Sequence, residues 1–131
     1  YADALTDLPL NLHIDEFKAS GAVGGLLAVR TSQSFHSVQF DDEGWVSSFG
    51  KLGDTEFWLN AGYFNFTPEI FDYINEGDEL VEKPFDRLIE QRRLQVNRYT
   101  GFWQQMDTFR EKILYDRMEA RGECPWMLWR E

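Results

Sequence analysis

One short stretch combines several side chains that could bind a ligand. Residues 101–110 read Gly-Phe-Trp-Gln-Gln-Met-Asp-Thr-Phe-Arg. They lie between a predicted strand and a predicted helix, and in open α/β sheets ligands bind at such junctions. A carboxylate such as Asp107 can hold a metal there, and the start of the following helix offers N–H groups to an anion. The alternative is that Asp107 or Thr108 only caps the helix, which is the more common role for these residue types.

Further polar side chains fall at the ends of predicted strands or interrupt them. With Asp107 they form the candidate set Asp3, Lys51, Asn60, Asp107 and Arg110. Two aspartates from separate strand ends can share one Mg²⁺, which proteins usually hold through one or two carboxylates plus substrate phosphates. A lysine nearby would neutralise a phosphate as a point charge. Each of these residue types is also common at a surface, so spacing alone leaves both interpretations open.

Other kinds of site find little support. With two histidines and one cysteine a zinc site is not expected, and no Ser-His-Asp order stands out. We expect His13, on a helix, and His36, on a hairpin, to lie at the surface. The acidic run at residues 41–43 is typical of a turn rather than of a metal loop.

Composition narrows the class of protein. The chain has 131 residues, enough for one domain with a real core, and a net charge of -10, which argues against a nucleic-acid or anionic-membrane partner. The single cysteine, Cys124, cannot form an internal disulfide, so a reducing compartment and hence the cytoplasm is predicted. No apolar run is long enough to span a membrane, and no signal-peptide pattern is present.

The elements that would position these residues alternate as an α/β pattern. Helices are predicted at residues 9–20, 68–74, 84–91 and 108–121, and strands at residues 22–30, 37–40, 45–49, 57–66 and 94–99. Because a hairpin forces an antiparallel pair, we expect a mixed sheet flanked by helices. Gly62, inside a strand, indicates either a bulge beside a ligand or tight packing against a helix.

Several side chains receive definite structural roles in this scheme. Asp7 is predicted to cap the first helix and Gly21 to end it. The helix at residues 84–91 is predicted to bury Phe85, Leu88 and Ile89, and the last helix Phe109, Ile113, Leu114 and Met118. The apolar tail at residues 124–129 requires a surface to pack on, either in this domain or on a partner chain.

Four motifs, in this order, resemble those of sugar-1-phosphate nucleotidyltransferases. Residues 1–7 resemble their Tyr-Gly-Asp-Gly segment, and residues 46–51 resemble Ser-Phe-x-Glu-Lys-Pro. Residues 58–64, Trp-Leu-Asn-Ala-Gly-Tyr-Phe, are similar to the Trp-Ile-Asn-Gly-Gly-Phe-Phe of glucose-1-phosphate cytidylyltransferase. Residues 101–112 are similar to that family's Gly-Phe-Trp-Gln-Pro-Met-Asp-Thr-Leu-Arg-Asp-Lys, which is the most specific of the four.

The resemblance implies a fold and an activity. The family has a Rossmann-like mixed sheet flanked by helices, and it forms CDP-glucose and pyrophosphate from CTP and glucose 1-phosphate. The expected partners are therefore CTP or another nucleoside triphosphate and a sugar 1-phosphate, with Mg²⁺ as cofactor. In-line attack of the sugar phosphate on the α-phosphorus depends mainly on positioning and charge neutralisation.

The resemblance also implies a role for individual residues. Asp3 and Asp107 match the two aspartates that hold magnesium, and this match favours a metal ligand over a cap for Asp107. Lys51 matches the catalytic lysine that meets the sugar phosphate. The remaining positions are expected to bind substrate: Asn60, Gly62, Trp103 and Arg110.

The sequence departs from the family pattern at two places, and these departures affect the expected activity. Gly50-Lys51-Leu52 stands where the family has Glu-Lys-Pro, and no Gly-rich nucleotide loop occurs. We therefore expect residues 1–131 to form the C-terminal, sugar-phosphate-binding part of a nucleotidyltransferase-like domain, inactive without the N-terminal part. A homo-oligomer is expected because such a chain exposes apolar surface and an unpaired sheet edge. The alternative is a non-catalytic relative that uses the fold for carbohydrate binding or assembly.

Overall fold

The described part of the chain alternates short strands with helices. The computed structural model describes residues 3–30, 36–51 and 57–129. In chain order its elements are β1 (Ala4–Thr6), α1 (Leu10–Ser20), β2 (Gly24–Arg30), β3 (His36–Phe40), β4 (Val46–Lys51), β5 (Trp58–Asn60), β6 (Asn65–Phe66), a 3₁₀ helix (Pro68–Tyr73), α2 (Lys83–Glu90), β7 (Leu94–Tyr99), β8 (Trp103–Gln105) and α3 (Phe109–Ala120). Residues 1–2 of the first motif lie outside the described residues, as does Leu52, which stands where the family has the proline of Glu-Lys-Pro.

Strand β2 is the centre of the main sheet. β7 pairs with it in parallel along residues 24–29, whereas β5 and β6 pair with it antiparallel at its two ends. The predicted mixed α/β sheet is therefore confirmed. The reason given for it was wrong, because the hairpin β3–β4 forms a two-stranded sheet of its own and the antiparallel partners of β2 are β5 and β6.

Two neighbouring glycines of β2 show how the sheet is covered. A Cβ at Gly25 would lie 2.7 Å from the Phe17 ring of α1, and a Cβ at Gly24 would lie 3.1 Å from Leu88 of α2. Successive residues of a strand point to opposite faces. Helices α1 and α2 therefore cover opposite faces of the sheet, and the absence of side chains at these two positions lets them approach closely.

The strand predicted at residues 57–66 is interrupted. β5 ends at Asn60, β6 begins at Asn65, and the four residues between them leave the ladder. Gly62 and Tyr63 there have φ values of 72° and 49°, in the left-handed region. The segment contains more residues than the stretch of β2 it faces, so it cannot pair residue for residue; it forms a bulge that stays bonded to Leu27 of β2 through Ala61 N and Gly62 O.

The helix ends follow the predictions except at the start of α1. Gly21 ends α1 in the left-handed conformation, with φ 69°. Gly122 does the same after α3, where its N–H donates to Glu119 O and Glu123 N–H to Met118 O, a Schellman motif. The prediction that Asp7 caps α1 is wrong: Asp7 Oδ1 instead accepts hydrogen bonds from Tyr99 Oη and Phe102 N.

Two predicted apolar helix faces need correction. On α2, Phe85 and Leu88 are buried as expected, but Ile89 is 58% exposed because it is one position past the face that packs. On α3, Phe109 is 76% exposed and Leu114 is also exposed. The buried residues of α3 are Glu111 and Tyr115, one turn apart.

The face of α3 that carries these two residues packs on β1 and β8. Tyr115 Oη donates a hydrogen bond to Gln104 O and accepts one from Leu5 N at 3.3 Å. The tail lies against the same region, since Trp126 packs edge-on against Tyr115 at 5.2 Å and near Phe102 at 5.7 Å. Part of the surface that the tail requires is therefore in this domain, although Trp129 is exposed.

None of the helices in the described residues is both long enough and apolar enough to span a bilayer.

Candidate functional site

The pairing of β1 with β8 brings two distant aspartates together. β8 was not predicted, because residues 103–105 are too few to show an alternating pattern. The two strands run antiparallel with Ala4 opposite Gln105, and Met106 N donates to Asp3 O at 2.8 Å. Asp3 immediately precedes β1 and Asp107 follows β8, so both carboxylates lie at the same end of this pair.

The carboxyl groups of Asp3 and Asp107 interact directly. The protonated carboxyl of Asp107 can donate a hydrogen bond to the Asp3 carboxylate, which raises the pKa of Asp107 above its ordinary value of 3.8; desolvation and the charges of Asp3 and Glu111 act in the same direction. Two carboxylates this close favour either one shared proton or a cation between them.

The side chain of Asp107 does not cap α3. Thr108 is the N-cap residue of α3, and its side chain forms a capping box with Glu111. Glu111 Oε2 accepts from Asp107 N at 2.8 Å and from Thr108 N at 3.0 Å. Burial would raise the pKa of Glu111, but these N–H donors outweigh it and lower the pKa. The side chain of Asp107 is therefore not needed for capping.

A cavity of about 220 Å³ opens beside the two carboxylates. Its lining residues are Asp3, Ala4, Asn60, Ala61, Tyr63, Trp103, Gln105 and Asp107. Four of the seven predicted site residues line it: Asp3, Asn60, Trp103 and Asp107. These four are separated by up to about a hundred positions in the chain, and the fold brings them to one place.

The interrupted segment between β5 and β6 forms one wall of this cavity, and hydrogen bonds hold it in place. Asn60 Oδ1 accepts from Gly62 N at 2.9 Å, and Trp103 Nε1 donates to Ala61 O at 3.1 Å. Leu27 of β2 bonds Ala61 N at 2.8 Å and Gly62 O at 2.9 Å. Gly62 itself is buried and does not line the cavity, so its contribution is the left-handed turn.

Two predicted site residues lie elsewhere. Lys51 is exposed at the end of β4, in the hairpin, and Arg110 is exposed in the first turn of α3. Neither lines the cavity. The structure therefore assembles the two carboxylates and the polar and aromatic wall without these two cations.

Reasoning from the sequence missed Tyr63 and Gln105 as lining residues. Both belong to motifs that were singled out, and their adjacency to Gly62 and Trp103 was the signal that could have identified them. The prediction for His13 was wrong, since it is 4% exposed. Its Nε2 lies 2.9 Å from Tyr63 O.

Asp3 and Asp107 are the side chains of this cavity that could hold a metal ion. No cluster of three or more histidine, cysteine or acidic side chains that could hold a metal occurs within residues 3–30, 36–51 and 57–129. Two carboxylates beside an open cavity are the usual protein contribution to a Mg²⁺ site that substrate phosphates complete.

Comparison with known proteins gives relatives along the whole chain. No protein-family model matches it. Glucose-1-phosphate cytidylyltransferase of Salmonella typhi is 32% identical over 132 residues, which cover 98% of this chain and 51% of that protein. Probable glucose-1-phosphate cytidylyltransferase of Bacillus subtilis (strain 168) is 26% identical over 131 residues, with the same coverage. The chain thus spans about half the length of the curated relatives it matches.

A solved structure shares the fold. It is a crystal structure from Bacillus anthracis, in complex with sucrose, of a protein described as a glucose-1-phosphate thymidylyltransferase. The TM-score is 0.57 at 13% identity, and the match covers 92% of this chain and 52% of that one. Together with the curated relatives, this structure confirms that the chain resembles the sugar-1-phosphate nucleotidyltransferases, as its motifs indicated.

Proposed function

We propose that this chain is the sugar-phosphate-binding part of a sugar-1-phosphate nucleotidyltransferase. The full-length protein would form a nucleotide sugar, CDP-glucose in the first instance, from CTP and a hexose 1-phosphate. The observation that carries the proposal is the meeting of Asp3 and Asp107 at one cavity with Asn60 and Trp103. The relatives named as cytidylyltransferases support the choice of base and sugar.

The two carboxylates would hold Mg²⁺, whose charge would neutralise phosphate oxygens. The raised pKa of Asp107 supports this assignment, because a pair of carboxylates in hydrogen-bond contact has a site for a positive charge. An ion there would remove the repulsion that the metal-free pair relieves only by taking up a proton.

The remaining residues would bind and orient the sugar phosphate. An oxygen of the sugar 1-phosphate forms a bond to the α-phosphorus of the triphosphate, and the bond from that phosphorus to the pyrophosphate oxygen breaks. Pyrophosphate leaves with the displaced electron pair. Asn60, Gln105 and the Trp103 ring, all on the cavity wall, would contact the sugar.

Lys51 and Arg110, the two cations predicted to meet the substrate, do not line the cavity. Lys51 and Arg110 would reach the phosphates only from outside the cavity as the fold places them. We infer that they contribute when substrate is bound, so their substitution should weaken phosphate binding more than it affects the empty protein.

The test is Asp107→Asn in the full-length protein, with Asp116→Asn as the matched control. Asp116 is an exposed carboxylate of α3 that pairs with Lys112 and lies away from the cavity. We expect Asp107→Asn to abolish magnesium-dependent release of pyrophosphate from CTP and glucose 1-phosphate, and the control to retain it. Unchanged turnover in Asp107→Asn would refute the metal assignment.

A second candidate function rests on the position of Lys51. Because this lysine lies outside the cavity and follows Gly50 rather than a glutamate, a non-catalytic, carbohydrate-binding relative is the alternative. Titration calorimetry on the full-length protein distinguishes the two. Sugar binding without any binding of magnesium-CTP would favour the alternative. Self-association and a cytoplasmic location stay predictions.

A further inference from the structure

The buried histidine of α1 has a contact that the proposed reaction does not use. His13 Nε2 lies 2.9 Å from the backbone carbonyl of Tyr63. Tyr63 follows Gly62 in the left-handed turn, and its side chain lines the cavity that holds Asp3 and Asp107. His13 therefore reaches the wall of the candidate site from the helix layer behind it.

The hydrogen bonds around His13 define which nitrogen carries the proton. Its Nδ1 lies 3.1 Å from Asn97 Nδ2, and the same Nδ2 donates to Glu16 Oε2 at 2.7 Å. Turning the Asn97 amide would place its oxygen against the Glu16 carboxylate, which is unfavourable. The amide nitrogen therefore faces Nδ1, which must accept, and Nε2–H donates to Tyr63 O.

The residue that His13 holds has a conformation that needs support. Tyr63 has φ 49°, a region that residues with a Cβ rarely adopt and that persists only where the surroundings impose it. Its carbonyl bonds His13, and its hydroxyl donates to Ala4 O at 3.0 Å. Ala4 directly follows Asp3, so Tyr63 links the histidine to the strand that carries one of the two carboxylates.

We propose that His13 is a positioning residue for the candidate active site. It fixes the left-handed turn at Gly62 and Tyr63, and through the Tyr63 hydroxyl it fixes the chain beside Asp3. This inference rests on the proposed function for its effect on substrate and metal, whereas the effect on the Tyr63 backbone is independent of that function.

The test compares three variants of the full-length protein. His13→Leu removes the donor and keeps an apolar side chain, whereas His13→Gln keeps an N–H that can reach the Tyr63 carbonyl. His36→Leu is the matched control, because His36 is an exposed histidine of the hairpin, stacked on Phe49. The measurements are KM and kcat with glucose 1-phosphate, Mn²⁺ affinity by calorimetry, and the backbone ¹³C shifts of Tyr63.

We expect His13→Leu to raise KM and weaken Mn²⁺ binding about tenfold, the size of effect that one lost hydrogen bond can produce. The Tyr63 shifts should leave the left-handed range, kcat should change less than KM, and His13→Gln should restore most of each property. His36→Leu should match the wild type.

Several results would overturn the inference. Left-handed Tyr63 shifts that persist in His13→Leu would show that the histidine does not impose the turn. Equal losses in the Leu and Gln variants would show a general packing role, and an altered turn with unaltered binding would remove the link to the site. If the wild type binds neither Mn²⁺ nor glucose 1-phosphate, the proposed function fails, and the Tyr63 shifts still decide the role of His13.

Discussion

At the scale of single residues, the contact between Asp3 and Asp107 creates a conflict between stability and binding. The hydrogen bond between their carboxyl groups raises the pKa of Asp107, so the folded protein takes up a proton there more readily than the unfolded chain does. Above that pKa the two charges repel each other and reduce the stability of the metal-free protein. Such unfavourable pairs are typical of functional sites.

The first prediction concerns this repulsion. In the presence of a chelator at pH 7, Asp107→Asn should raise the midpoint of thermal unfolding, because it removes one of the two like charges. The advantage should shrink as the pH falls through the raised pKa of Asp107, since the wild-type pair then becomes protonated and the repulsion ends. Asp116→Asn should show neither effect. A variant less stable than the wild type at pH 7 would contradict this account.

The second prediction concerns Tyr99. Burial raises the pKa of this phenol to about 12, assisted by its hydrogen bond to the Asp7 carboxylate. The bond should stabilise the fold fully below pH 10 and lose its effect as the pH rises through the folded pKa. Tyr99→Phe should therefore cost about 1.5–3 kcal/mol at pH 7, the range for hydrogen bonds to charged acceptors.

Tyr73→Phe is the control for Tyr99, because the Tyr73 hydroxyl donates to the uncharged Gln91 amide at 2.9 Å. Its cost should be about 1 kcal/mol. Denaturant unfolding measures both variants, and ultraviolet titration of the phenols should show one group fewer titrating near pH 12 in Tyr99→Phe. Equal costs for the two substitutions would indicate that the charge of Asp7 contributes nothing.

The sequence identified the residues of the site better than their arrangement. Asp3, Asn60, Trp103 and Asp107 were named from motifs, and the fold places all four at one cavity. Lys51 was named on the same grounds but lies on a separate hairpin. A motif predicts a residue type, whereas distance to the site depends on how the element that carries it packs.

At the scale of elements, capping the helix and facing the cavity fall to different residues at the start of α3. Thr108 caps the helix, Glu111 completes the capping box, and Asp107 is left to face the cavity. A carboxylate that capped the helix would give its oxygens to backbone N–H groups and would be a poorer metal ligand.

The third prediction tests this division. Thr108→Ala should cost about 1 kcal/mol of unfolding free energy, the usual value for a lost N-cap. Thr100→Ala is the control, since Thr100 is exposed just after β7 and caps no helix. Denaturant unfolding gives both values. If the cap variant were as stable as the control, Thr108 would not be what starts α3.

The elements also show where sequence patterns fail. Residues 94–99 were predicted and observed as a strand with the same limits. Residues 57–66 are more apolar than residues 94–99, yet the strand breaks after Asn60. The break depends on contacts that no local pattern contains: bonds from Leu27 of β2, His13 of α1 and Trp103 of β8.

At the scale of the whole molecule, two apolar clusters hold the described residues together. One is formed by Val23, Ile70, Tyr73, Phe85 and Leu88, and the other by Leu8, Leu27, Val29 and Ala61. They have no buried member in common. The second cluster includes Ala61 and packs against Trp103 and Tyr63, so it supports the cavity wall directly.

The fourth prediction follows from the two clusters. Leu27→Ala and Leu88→Ala remove side chains with 0% exposure, and each should cost about 2–5 kcal/mol. Because the clusters share no buried residue, the costs in the double variant should add to within about 0.5 kcal/mol. If the double alanine variant does not fold, Leu27→Val and Leu88→Val are used for the same comparison. A larger coupling energy would show that the clusters act as one core.

Trp103 gives the molecule a built-in optical probe. Its indole N–H bonds Ala61 O, and its ring lines the cavity. Trp45 and Trp129, in contrast, are largely exposed to solvent. A water-soluble quencher should therefore suppress the emission of those two tryptophans first and leave that of the half-buried Trp58, Trp103 and Trp126, of which Trp103 lines the cavity. Binding of a ligand in the cavity should then change the fluorescence of Trp103, and the protein needs no added label for this measurement.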